Sequence, residues 1–136
     1  MDNIVPGFPT KVFLTALRNW LGEKRVQWVA VRDIGVFAAT AFADPDSWNL
    51  RAVGLAGDEK NVSEIGEAFE RIGERVPETY SIFGSALTYV VTEMRLMIGW
   101  FASDGYRADI AERRAEHPDM LKFDQWLVRE SLFNQE

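Results

Sequence analysis

The stretch RVQWVAVRDIGVFAATAFADPDSWNLRAVGLAGDE, Arg25 to Glu59, decides the fold. From Arg25 to Arg32 apolar residues fall on both parities, Val26, Trp28 and Ala30 on one and Val29 and Val31 on the other. Together with the β-branched and aromatic content, this predicts a mostly buried strand. Asp33 is then suited to be the N-cap of a helix with Ile34, Phe37, Ala38, Ala41 and Phe42 on its apolar face. Asp44-Pro45-Asp46-Ser47 is a turn that cannot continue it. A second strand is expected over Asn49 to Ala56, where Leu50, Ala52, Val53 and Leu55 precede the loop signal Gly57-Asp58.

Outward from this stretch the pattern is helical. Between Pro9 and Gly22, Phe13, Ala16, Leu17, Trp20 and Leu21 follow helical spacing, with Thr10 placed to cap the start and Gly22 to end it. Asn61 and Glu64 have capping-box spacing ahead of Val62, Ile65, Phe69 and Ile72, and Gly73 closes that stripe before Pro77. Phe83, Leu87, Val90, Met94, Met97 and Phe101 are spaced 4, 3, 4, 3, 4, and Ala86, Leu96 and Trp100 broaden the face. Ile82 to Ser103 is therefore read as one long helix. Asp109 to Glu116 reads as a short polar helix, and Phe123, Trp126, Leu127 and Phe133 outline a last one. The fold class is α+β, mostly helical, with two short strands and about five helices in a single domain over residues 1–136. Two strands alone leave ladder groups unpaired at their edges, so a partner is expected to cover them.

Composition narrows the function classes. The 136 residues carry 15 Lys+Arg against 21 Asp+Glu, a formal charge of −6. That length suffices for one hydrophobic core. With no cysteine, disulfides, thiolate metal sites and cysteine nucleophiles are excluded. The acidic balance and the lack of a basic run argue against nucleic acid, and no apolar stretch approaches the ~20 residues that span a bilayer. A soluble cytoplasmic protein is the expectation.

Val29-Ala30-Val31-Arg32-Asp33-Ile34-Gly35-Val36-Phe37-Ala38-Ala39, Phe42-Ala43-Asp44-Pro45 and Gly54-Leu55-Ala56-Gly57-Asp58-Glu59 resemble, in this order, the second half of NmrA-like proteins, atypical members of the short-chain dehydrogenase/reductase superfamily. Met97-Ile98-Gly99-Trp100-Phe101, Gly105-Tyr106, Ala108-Asp109-Ile110 and Phe123-Asp124-Gln125-Trp126-Leu127 are similar to that family's closing helices. Met1-Asp2-Asn3 is similar to its loop after the sixth sheet strand. The resemblance covers essentially the whole chain and implies the substrate-binding part of a Rossmann-type fold without the half that holds NAD(P). Neither GxGxxG nor GxxGxxG occurs, Gly54-Leu55-Ala56-Gly57 lacks the further glycine and the later acid, and the Tyr-x-x-x-Lys dyad is absent. No cofactor is expected.

Few residues invite chemistry. His117, the sole histidine, lies between Glu116 and Pro118 and reads as an exposed turn residue. One His and no Cys make a poor metal site, and Asp58-Glu59, Asp44 and Asp46 read as turn and capping residues. Asn61-Val62-Ser63 fits a glycosylation acceptor, for which the capping role is sufficient explanation. On the long helix, Tyr89, Glu93, Met97 and Trp100 lie at spacings of 4 and 7, placing a phenol and a carboxylate on an aromatic, Met-containing face. Desolvation there would favour the protonated Glu93 and suit it, with Tyr89, to proton transfer. The competing reading is core packing, with Glu93 paired to Arg95 or Arg18, while Arg95 is open between a salt bridge and an anionic substrate. The family resemblance adds Asn3 and Phe8 to the pocket, with Met97 and Trp100 as further substrate contacts.

Three functions are carried forward. The first is a module that binds a hydrophobic metabolite, in a cavity completed by a homodimer, and acts as a cofactor-independent isomerase, cyclase or dehydratase. The second is a regulatory protein-interaction module, and the third a truncated remnant of an NAD(P)-dependent oxidoreductase.

Overall fold

Residues 1–134 are described by a computed structural model. Its elements are α1 (Phe8–Leu21), β1 (Val26–Trp28), α2 (Val31–Ala43), the single turn α3 (Pro45–Trp48), β2 (Asp58–Lys60), α4 (Val62–Arg71), α5 (Ser81–Val90), α6 (Thr92–Ser103), α7 (Ile110–Glu116), α8 (Phe123–Arg129) and a 3-10 turn at Leu132–Asn134. The chain is thus α+β and mostly helical. Its core is built where α1, α4 and α8 meet, from Leu14, Leu17, Leu21, Val62, Ile65, Phe69, Phe123, Trp126 and Leu127, with Ile98 of α6. Each fully buried side chain of this size contributes about 1.5–3 kcal/mol. Edge-on ring contacts of Phe69 with Phe123 and Phe133 tie α4 to the C-terminal turn.

Local signals set several boundaries as expected. Asn61 and Glu64 form a reciprocal capping box on α4, and Gly22, at φ +54°, ends α1. Asp44 caps α3, accepting from the Ser47 N–H. Asp58 accepts the N–H of Phe123, the first residue of α8.

Four expectations are corrected. First, α1 begins earlier, at Phe8, because Pro9 fits its first turn. Thr10 lies inside the helix, buried, and accepts the Val5 N–H. Second, β1 is only three residues long and half-buried. Its chain turns into α2 at Val31, whose N–H is taken by Asp2 rather than capped by Asp33. Third, the second strand is Asp58–Lys60, antiparallel to β1 with Trp28 opposite Asp58, and Asn49–Ala56 carries no ladder. Fourth, the long helix is two helices. Val91 leaves the helical region (φ −105°, ψ 96°) within the β-branched run Val90-Val91-Thr92, which disfavours continuation. Both halves pack on α1. The side chain of Val90, one of the stripe residues, lies outside the described residues.

Contact between α1 and α5 is made through Gly84. A Cβ there would sit 2.7 Å from the Ala16 backbone nitrogen, so the two main chains touch. The Asn19 amide donates to the Ser81 carbonyl at 2.9 Å and fixes the rotation of α5.

Candidate functional site

The α5–α6 elbow holds most of the expected site. Tyr89, 89% exposed, lies in the last turn of α5 and Glu93 in the first turn of α6, so the break at Val91 puts the phenol and the carboxylate on two different helices. Glu93 is exposed and makes no ion pair among the described residues; Arg18 pairs instead with Glu78 at 2.9 Å. Met97 and Trp100 follow Glu93 on one side of α6, and Leu96 extends that stripe; all three are exposed. The opposite side, Met94, Ile98 and Phe101, faces the core. Phe8 lies apart, at the start of α1, where its ring meets Phe83 edge-on and borders a second cleft of about 440 Å³. Asn3 is exposed in the segment before α1. Of these six residues only Phe8 lines either of the two clefts described here. Acid–base use of Glu93 depends on that face being covered.

A more developed cleft lies elsewhere. A cleft of about 550 Å³ runs between Arg51–Leu55 and Tyr106–Arg113. Trp100, Phe101 and Tyr106 form an aromatic trio, with the Trp100 and Tyr106 rings 4.9 Å apart and Tyr106 lining the cleft. Across the fold, the Gln27 amide exchanges two hydrogen bonds with the backbone of Ala108, at 3.0 and 2.9 Å, doing for that residue what a neighbouring strand would. Arg113 is buried between Glu112 and Glu116, at 2.5 and 2.9 Å. This cleft was not readable from motif spacing. The only signals were the glycine at 54, which packs against Ala108, and the arginines at 51 and 107.

A second arrangement also escapes the sequence. Asp33 is fully buried; its Oδ2 accepts the Leu121 N–H at 2.9 Å, and its Oδ1 faces His117 Nε2 at 3.5 Å. Neither of those facing atoms has a hydrogen-bond partner among the described residues. His117 is thus no exposed turn residue: it caps α7 with its side chain 16% exposed, and its ring meets Phe37 edge-on. The one warning in the sequence was an acid set among Val29, Val31, Ile34 and Phe37. Arg114 completes the latch by donating to the carbonyls of Met120 and Gly57. The pair anchors the loop before α8 and opens onto neither cleft.

Among the described residues no three potential metal ligands cluster, and no helix is long and apolar enough to cross a membrane. The chain matches no protein-family model and no curated protein sequence.

Proposed function

We propose that this chain is an NmrA-like binding module whose α5–α6 face is covered by a second copy of itself, enclosing a hydrophobic small molecule in the cavity so formed. The observation that supports this reading is that α5 and α6 carry large apolar side chains on both sides but pack on one. Tyr80, Ile82, Phe83, Tyr89, Leu96, Met97 and Trp100 are all exposed. At ~150–250 Å² for an aromatic side chain, these residues expose roughly 800 Å², the area one partner buries in a standard interface and more than a soluble monomer usually leaves open. Within the covered face, Met97 and Trp100 would hold the ligand, and Glu93 and Tyr89 would supply the proton donor and acceptor for an isomerisation, cyclisation or dehydration.

Light scattering tests the assembly, with a mass near twice the 15.5 kDa chain expected at tens of micromolar. Leu96→Glu, on the exposed stripe, should give a monomer of unchanged helix content that no longer binds the apolar probe anilinonaphthalene sulfonate. A wild-type monomer at that concentration would remove the closed cavity. For the chemistry, Glu93→Gln and Tyr89→Phe should each lower turnover of a candidate apolar substrate while leaving the pair intact; unchanged rates would exclude both as proton carriers.

A further inference from the structure

Ahead of β2, across a bend at Gly57, lies a segment with no strand beside it. From Arg51 to Ala56 the chain runs without turn or bend. It is tethered at both ends: Arg51 N–H donates to the Trp48 carbonyl at 3.2 Å and Gly57 N–H to the Trp28 carbonyl at 2.8 Å. Between the tethers, no backbone N–H or C=O of Ala52 to Ala56 makes a hydrogen bond among the described residues. β1 pairs with Asp58–Lys60 and then leaves for α2 at Val31, so it does not continue alongside the chain that precedes Gly57. Four residues, Ala52 to Leu55, span about 13 Å of open edge at ~3.3 Å each. An edge of this kind is a template for an added strand.

The same four residues form one wall of the 550 Å³ cleft, whose charge is unlike that of the rest of the molecule. Arg51, Arg107 and Arg113 line it against Asp109 and Glu112, a positive excess in a chain of net charge −6. The Arg113 charge is answered by its two glutamates, whereas Arg107 makes no ion pair among the described residues. Arg51 lies over the Trp48 ring, 5.2 Å from its centre, which holds the guanidinium beside the edge.

We infer that the cleft takes an extended acidic peptide segment of another protein as an added strand. Its main chain would pair with Ala52–Leu55, and its carboxylates would meet Arg107 and Arg51. A small anion would use the guanidiniums but leave the row of open backbone groups unmatched; a strand uses both. The inference is independent of the α5–α6 face, and loss of the pair of chains would leave it standing.

The test uses the full chain and a fluorescein-labelled octapeptide of alternating valine and glutamate, read by anisotropy. Replacing glutamate by lysine, or methylating alternate backbone nitrogens, should each weaken binding at least tenfold, as should Arg107→Glu in the protein. Because a variant could perturb the fold, amide hydrogen exchange on the unaltered protein is the second readout: saturating peptide should slow exchange within Ala52–Leu55 at least tenfold. Equal binding of the lysine peptide would overturn the inference. So would unchanged exchange at those amides, or full affinity of the methylated peptide, which would leave an anion site only.

Discussion

Asp33 sits at full burial with one oxygen satisfied by a backbone N–H and the other turned to the only histidine. A buried carboxylate is tolerated when such partners replace its water, and removing it strands them. Asp33→Ala should therefore cost about 3 kcal/mol in urea unfolding, since it leaves the Leu121 N–H without an acceptor. Asp33→Asn keeps an acceptor and should cost less. The gap between the two should shrink when His117 is replaced, and a gap of the same size in both backgrounds would show that the histidine contributes nothing. Leu50 presents the reverse case: it is 99% exposed and held at φ +59°, where a Cβ is penalised. Leu50→Gly should raise stability by about 1 kcal/mol, because glycine enters the left-handed region without that penalty. A lowered midpoint would mean that the Leu50 side chain makes contacts the fold depends on.

Two glycines separate packing from propensity at the level of helices. In α5, a Cβ on Gly84 would meet the main chain of α1, which cannot rotate away, whereas Gly35 in α2 has nothing within 4 Å. Gly84→Ala should destabilise by roughly 1–3 kcal/mol as α5 is pushed off α1, and Gly35→Ala should stabilise by about 0.5–1 kcal/mol. Melting temperatures moving in the same direction for both would mean that the α1–α5 contact can relax. The same contrast explains what could be read in advance. The capping box at Asn61 and Glu64, the Gly22 stop and the Asp44 turn are decided within a few residues, and their residue types suffice. The helix break at Val91 and the short ladder at Val26–Trp28 depend on where other elements dock, and a one-dimensional apolar spacing is blind to that. For the site, spacing did place Glu93, Met97 and Trp100 along α6. The cleft instead joins segments more than fifty residues apart in the chain, held by a Gln27 side chain acting as a strand surrogate.

Charge acts on the whole molecule in two ways, one through stability and one through association. Burial lifts the Glu78 carboxyl above its ordinary range, with Arg18 only partly opposing it. The native state therefore holds that proton more tightly than the unfolded chain, and the resulting stability is present in mild acid and lost as pH rises through the raised value. At Asp124 burial acts in the same upward direction, but hydrogen bonds from Arg71 and Lys60 outweigh it and hold the carboxyl below the usual range. Its contribution is present above the unfolded value and lost as pH falls through the depressed one. The urea midpoint should thus pass through a shallow maximum in mild acid, each arm worth less than about 1 kcal/mol because both pairs are partly exposed. Glu78→Gln should flatten the neutral arm and Asp124→Asn the acid arm; a profile unmoved by either change would assign the pH dependence to other groups. Association has its own signature. Two chains of charge −6 repel, so a pair held by apolar side chains should form more readily as salt screens that repulsion. An acidic strand drawn to Arg51 and Arg107 should instead bind more weakly as salt rises. Light scattering and peptide anisotropy across one salt series should therefore move in opposite directions. If pairing weakened with salt, the interface would have to be made of ion pairs, and the exposed face of Leu96, Met97 and Trp100 could not be what holds it.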